Sequence, residues 1–242
     1  MKNLFALALV AAAVAPAHAL TTGDIAFTAF NADEDGWSLV TFVDIAANTQ
    51  VFFSDSTATS ATAIGSGESS FSWGTGAGVI AAGTVVRFSA IDAAGRAASV
   101  GSFSVVNSSN LGLSATAETV YAFLGTSATA PTTILSAVSS EANNNSLTVV
   151  GLAAGSNAIK LSSSADFAGY TGSRSSEMTF AAYGALVNNP ANWAIDVGGI
   201  GTSVVPDATN FSLTPVPEPE TYAMMLAGLL SLGLLAKRGA QG

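Results

Sequence analysis

The sequence predicts a mainly β protein: a β-sandwich of short antiparallel strands with one short internal helix, plus an N-terminal signal helix and a C-terminal hydrophobic helix. Three observations carry this expectation. Within the body, apolar residues recur with period two in short runs rich in β-branched and aromatic side chains, which suits strands with one face buried. Gly, Ser, Thr, Asn and Asp cluster between the runs and supply turn chemistry. Only the two ends carry long uninterrupted apolar stretches.

In chain order, Lys2 precedes the apolar run Leu4–Ala15, and Pro16 breaks the helix ahead of Ala17, His18 and Ala19. Basic start, apolar run and small residues in this order make a secretory signal. Ala17 and Ala19 fit the shallow pockets of signal peptidase, so cleavage is expected before Leu20. Strands are then predicted at Ile25–Phe30, Ser38–Val43, Gln50–Phe53, Thr84–Phe88, Ser102–Val106, Thr119–Phe123, Leu147–Val150, Ala158–Leu161 and Asn210–Leu213. Many short strands at this spacing favour a sandwich or barrel over a parallel α/β sheet. Glu177–Asn188 is the one internal helix expected, with Met178, Ala181, Ala182, Ala185 and Leu186 on one face and Pro190 beyond its end. The Gly-, Ala- and Ser-rich stretches Thr57–Gly67 and Gly74–Gly83 read as mobile surface loops.

At the far end, Pro217-Glu218-Pro219 precedes the apolar stretch 221–236 and the basic pair Lys237-Arg238. Two prolines one residue apart deny backbone donors and favour an extended chain that a protease can bind. Tyr222–Ala236 falls short of the roughly 20 residues needed to cross a bilayer core as a helix, so its stay in the inner membrane is expected to be transient. Lys237 and Arg238 would remain cytoplasmic and leave the Pro-Glu-Pro segment on the outer side. This tripartite tail resembles the PEP-CTERM sorting signal of Gram-negative bacteria over Val216–Arg238. The resemblance implies a membrane-embedded exosortase that cleaves at Pro217-Glu218-Pro219 and passes the protein to the cell surface or extracellular matrix. Many members end in several arginines, whereas this chain has Lys237-Arg238 alone. The expected organisation is a signal peptide at 1–19, a β-sandwich domain at 20–215 and a sorting signal at 216–242. Within the body, Gly23–Thr28, Val43–Thr49 and Asn188–Trp193 look like a β domain of secreted bacterial surface proteins, which implies location and architecture but no catalytic activity.

Composition narrows the chemistry. Seven Lys and Arg oppose 16 Asp and Glu, a net charge of −9, which argues against nucleic acid because neutralising phosphates needs clustered bases. There is no cysteine, which excludes disulfides, thiolate metal sites and cysteine nucleophiles. The one histidine, His18, leaves with the signal, so the body has no ordinary Ser-His-Asp triad and no histidine-zinc site. No enzyme is predicted.

Four groups of residues remain to be weighed. Asn31, Asp33 and Asp35 with Gly36 mimic the start of an EF-hand loop and give a weak Ca²⁺ expectation, although position 12 is Phe42 rather than a bidentate Glu. Asp44 and Asp55 end neighbouring predicted strands and are the pair a carboxylate-dependent glycan hydrolase would need, though strand-terminal Asp is an ordinary turn residue. Lys160, the sole lysine of the body, would have to serve any Ser-Lys dyad, but in an alternating strand it is expected to face solvent. Trp73, flanked by Ser72 and Gly74, is the tryptophan expected at the surface, where its flat face could stack on a sugar ring. The functional expectation is an exported protein of structural or adhesive role. A carbohydrate-binding module for exopolysaccharide is the first alternative and the glycan hydrolase the second.

Overall fold

A computed structural model describes residues 19–202, 204–215 and 224–227 of the chain. In chain order the strands are β1 (Ile25–Asn31), β2 (Gly36–Thr41), β3 (Gln50–Ser54), β4 (Ala58–Ser60), β5 (Ala63–Ile64), β6 (Ser70–Gly74) and β7 (Val85–Ser89). They continue with β8 (Ala97–Ala98), β9 (Ser102–Asn107), β10 (Thr119–Ser127), β11 (Ala130–Ser139), β12 (Ile159–Lys160), β13 (Phe167–Tyr170) and β14 (Trp193–Asp196). Two short helices, α1 (Asn145–Thr148) and α2 (Tyr183–Val187), interrupt the series. One six-stranded sheet runs β14-β13-β1-β2-β7-β8 and a second runs β12-β11-β10-β3-β6-β9, while β4 and β5 pair by themselves. All pairings are antiparallel except β11 with β12.

Alternation along the strands builds two separate cores. In β2 and β7, Trp37 and Phe88 are cross-strand partners and turn toward the other sheet. Trp37 meets Phe53 of β3 at 5.2 Å and Phe71 of β6 at 5.8 Å between ring centroids, and Phe88 meets Phe103 of β9 at 4.9 Å. Rings at these separations bury much apolar area and add a geometric preference of about 0.5–1.5 kcal/mol per pair. The intervening residues of the second sheet, Phe52, Tyr121, Phe123 and Ile134, face the opposite way and form a second cluster. The β4–β5 hairpin covers it through Ala58 and Ile64, and the α1 region covers it through Leu147, Val150 and Leu152. Thr57–Gly67, expected as a mobile loop, is therefore largely a covering hairpin.

The segment leading out of the body is tied down as far as Thr214. Arg174 donates from Nη1 to the Thr209 carbonyl at 2.8 Å, pairs with Asp207 at 3.2 Å and lies 4.9 Å over the Phe211 ring. Phe211 also stacks with Tyr170 and meets Tyr183 of α2 edge-on. The last bonds are from Thr214 N–H to the Glu177 carbonyl and from its hydroxyl to the Ser175 carbonyl, both 2.8 Å.

Three expectations are corrected here. Leu147–Val150 is not a strand but α1 and the turn after it, because Leu147 and Val150, three residues apart, both drop onto the second cluster. Asn210–Leu213 pairs with no strand; Phe211 N–H reaches the Gly83 carbonyl in an extended return segment. The predicted helix at Glu177–Asn188 contracts to a 3-10 turn, Phe180–Ala182, followed by α2. Met178, placed on its buried face, is 67% exposed, and Tyr183 and Val187 take the buried positions instead. The expected signal helix lies outside the described residues; of the expected C-terminal helix only 224–227 are described, and they are helical. Among the described residues no helix is long and apolar enough to cross a membrane.

Candidate functional site

A cleft of about 440 Å³ opens on the outer side of the second sheet, beside the second cluster. Its position follows from one register. Tyr121 of β10 pairs with Ser54 of β3, so the residue that follows β3, Asp55, comes alongside the start of β10, where Glu118 precedes the first strand residue. Glu68, just ahead of β6, and Glu141, just after β11, complete an acidic wall, and Ser146 and Val149 close the side formed by the α1 region. Tyr121 lies beneath, its hydroxyl donating to the Ser146 carbonyl at 3.0 Å.

Two of these acids are deeply placed. Glu118 is 6% exposed; its Oε2 accepts from Ser114 N–H at 2.9 Å and its Oε1 from Thr119 N–H at 3.0 Å. Asp55 is 7% exposed; its Oδ2 accepts from the Ser69 hydroxyl at 2.7 Å, while its Oδ1 has no hydrogen-bond partner. Burial disfavours the charged form, and it pushes the Asp55 carboxyl up to about 7 against the bond from Ser69. Burial likewise pushes Glu118 up to about 8, with the charge of Asp55 adding to the effect and the Ser114 bond opposing it. Tyr121 is raised further beyond the ordinary phenol range by burial and by the nearby Glu141. Near neutrality the cleft thus holds protons on carboxyls that would be ionised in water.

Among the described residues no Lys or Arg lines this wall, and the base near it is Lys160, beside Glu141. Lys160 of β12 sends its ammonium to the backbone carbonyls of Glu141 and Leu161, and burial lowers its proton affinity. Among the described residues the ion pairs are Arg87 with Glu34 and Arg174 with Asp207, both elsewhere. Lys160 is thus a structural tie rather than the free amine a Ser-Lys dyad needs.

The other sequence candidates fall apart as sites. Trp73, expected at the surface, is 0% exposed: it alternates with Phe71 on the inward face of β6, meets Phe88 edge-on and donates from Nε1 to the Val100 carbonyl at 2.8 Å. Trp37 and Trp193 are buried as well, so no tryptophan offers a face to a sugar. Asn31, Asp33 and Asp35 are each engaged in hydrogen bonds that fix loops. Asn31 Nδ2 donates to the Gly201 and Val204 carbonyls while its Oδ1 caps Asp33 and Glu34; Asp33 accepts from Gly201 N–H and Asp35 from Leu113 N–H. Each is used to fix a loop, and among the described residues no three acidic side chains form a metal-holding group. Asp44 accepts from Ala82 N–H as a turn residue and does not line the cleft, so Asp55 has Glu118 rather than Asp44 as its acidic companion. Glu118 was not singled out by sequence reasoning, being a lone acid in a Ser-, Thr- and Ala-rich stretch. Its place directly before the Thr119–Phe123 run was the available signal. Of the processing residues, Ala17, Pro217, Glu218, Pro219, Lys237 and Arg238 lie outside the described residues, and Ala19 lies within them.

Residues 215–238 match the family model of the PEP-CTERM protein-sorting motif. The tail thus carries a PEP-CTERM sorting motif, which implies exosortase as a processing partner and export to the cell envelope or surface. The match covers the tail and begins one residue after Thr214, the last body residue seen to bond back to the β domain. No curated protein and no solved structure matches the chain.

Proposed function

We propose that this is an exported cell-surface or extracellular-matrix protein of a Gram-negative bacterium, delivered by exosortase cleavage at Pro217-Glu218-Pro219, whose body at 20–215 is a non-enzymatic β-sandwich of structural or adhesive role. The observation that carries the reading is the sorting motif at 215–238. Two features of the body support the proposed boundaries. Leu20, the first residue after the expected signal cleavage, is packed into the main core, and Thr214 is hydrogen-bonded to the domain just before the motif. Two sheets closing on one aromatic core supply stability without any disulfide. An acidic balance keeps such a body soluble outside the cell.

The test is localisation and mass. Wild type, a Glu218→Ala variant and a chain lacking 216–242 are fractionated into membrane, surface and medium, and released protein is analysed by mass spectrometry. Released wild type should end near residue 218, Glu218→Ala should accumulate in the membrane fraction, and the truncated chain should bypass the membrane. A peptide spanning 226–235 in released wild-type protein overturns the reading.

A further inference from the structure

We propose that the acidic cleft between the end of β3, the start of β10 and α1 binds a ligand that carries a primary ammonium on a hydroxylated frame, an amino sugar. The inference concerns a different part of the molecule from the sorting tail and holds or fails independently of it.

Four observations lead there. Asp55, Glu68, Glu118 and Glu141 all line one cleft, no Lys or Arg lines it, and the ammonium of Lys160 lies toward Glu141, so a cation for Asp55, Glu68 and Glu118 has to arrive from outside. Asp55 is more than nine-tenths buried yet leaves Oδ1 without a partner, a cost of about 1–3 kcal/mol for a buried acceptor unless a donor satisfies it. An ammonium carries three donors on one positive centre and suits that position. Asp55, Glu68 and Glu118 feel one another's charge across the cleft, and among the described residues no three His, Asp or Glu side chains form a group that could hold a metal ion. Finally, Thr57, Thr119 and Ser146 place hydroxyl-bearing residues among the acids, and about 440 Å³ lies within the range of small-molecule clefts. Hydroxyls and carboxyls recognise a polyhydroxylated ring, while Tyr121 and Val149 supply the apolar part of the lining.

Protons should leave as the ligand enters. Asp55 and Glu118 hold theirs up to about 7 and about 8, and an ammonium beside them favours the charged carboxylates. The other titratable groups facing them are Glu68, Glu141 and Tyr121, with Lys160 behind Glu141.

The experiment is titration calorimetry of the exported protein at pH 7 with the β-1,4-linked glucosamine disaccharide, its N-acetylated counterpart, cellobiose and CaCl₂. The glucosamine disaccharide should bind, with a heat that varies with the ionisation enthalpy of the buffer because protons are released. The two uncharged disaccharides should bind at least tenfold more weakly. Glu118→Gln and Asp55→Asn should each weaken binding at least tenfold, Glu68→Gln on the half-buried rim should weaken it severalfold, and Asp44→Asn should not change it. Circular dichroism checks folding, and Glu68→Gln keeps the test valid if a deep variant does not fold. No binding of the charged disaccharide, equal binding of the N-acetylated one, or binding untouched by Glu68→Gln and Glu118→Gln overturns the proposal. Ca²⁺ binding lost in Glu118→Gln, with no amino-sugar binding, overturns it in favour of a metal.

Discussion

Replacing Glu118 by Gln should make the protein slightly less stable in acid and more stable in alkali, so that the two stability curves cross. The carboxyl of Glu118 is pushed from an ordinary 4.5 up to about 8, chiefly by burial. A folded-state value above the unfolded one means that its contribution is fully present below 4.5 and is lost as pH rises from there through about 8, because the unfolded chain releases the proton first. At about 1.4 kcal/mol per pH unit this corresponds to about 5 kcal/mol, and water in the open cleft reduces it, so we expect a loss of about 2–5 kcal/mol between pH 4.5 and pH 8.5. The side-chain amide of the Glu118→Gln variant never ionises and avoids that loss. It does place an NH₂ group against one of the two N–H donors, Ser114 or Thr119, that now face carboxylate oxygens, at a cost of about 1 kcal/mol at every pH. Urea denaturation of both proteins at pH 5, 7 and 9 measures the difference directly. The variant should be about 1 kcal/mol less stable at pH 5 and at least about 1 kcal/mol more stable at pH 9. A wild-type stability that is flat from pH 5 to pH 9, or a variant that declines in parallel with wild type, refutes the reasoning.

Two further predictions concern the body. Arg174→Ala removes the bonds to Thr209 and Asp207 and the contact over Phe211; it should cost about 1–3 kcal/mol and raise amide exchange over 207–214 while leaving β3 and β10 protected, as hydrogen-exchange mass spectrometry would show. Trp73→Ala should cost about 3–5 kcal/mol in denaturant titration, and tryptophan emission of the native protein should resist iodide quenching, because all three indoles are buried.

The strands that the sequence made legible are those whose own side chains announce a pleated, half-buried surface. β1, β2, β3, β7, β9 and β10 each carry β-branched or aromatic residues in register with the period. β11 escaped notice although it is the longest strand, because Ala130-Pro131-Thr132-Thr133 reads as loop and its place depends on pairing with β10 over almost its whole length. β6 escaped because Phe71 and Trp73 are embedded among Ser and Gly; reading them as an alternating pair would also have put Trp73 indoors. α1 shows the opposite failure: Leu147-Thr148-Val149-Val150 has strand composition, but only residues three apart can both reach the cluster under it. The acidic cleft was half visible. Asp55 stood out at the end of its strand, whereas Glu118 lies far along the chain and is brought beside it only by the β3–β10 pairing, which no local pattern encodes.

That same pairing separates two ways of understanding the body. If the sandwich acted solely as scaffold, Asp55 and Glu118 would be liabilities: each is buried without a cationic partner, each lowers stability as pH rises through neutrality, and a neutral amide in place of the Glu118 carboxyl would improve the fold at pH 8. Folds commonly concentrate such unfavourable polar placements where something binds. The crossing of the stability curves therefore measures more than a titration. Adding the glucosamine disaccharide at pH 7, where its ammonium form is still present, should raise the wild-type curve toward that of Glu118→Gln by mass action on the folded state and leave the variant's curve in place. A scaffold without a ligand would show the crossing and no response to the sugar, and that outcome would leave Asp55 and Glu118 as a pH-dependent weakness of the domain with no binding role.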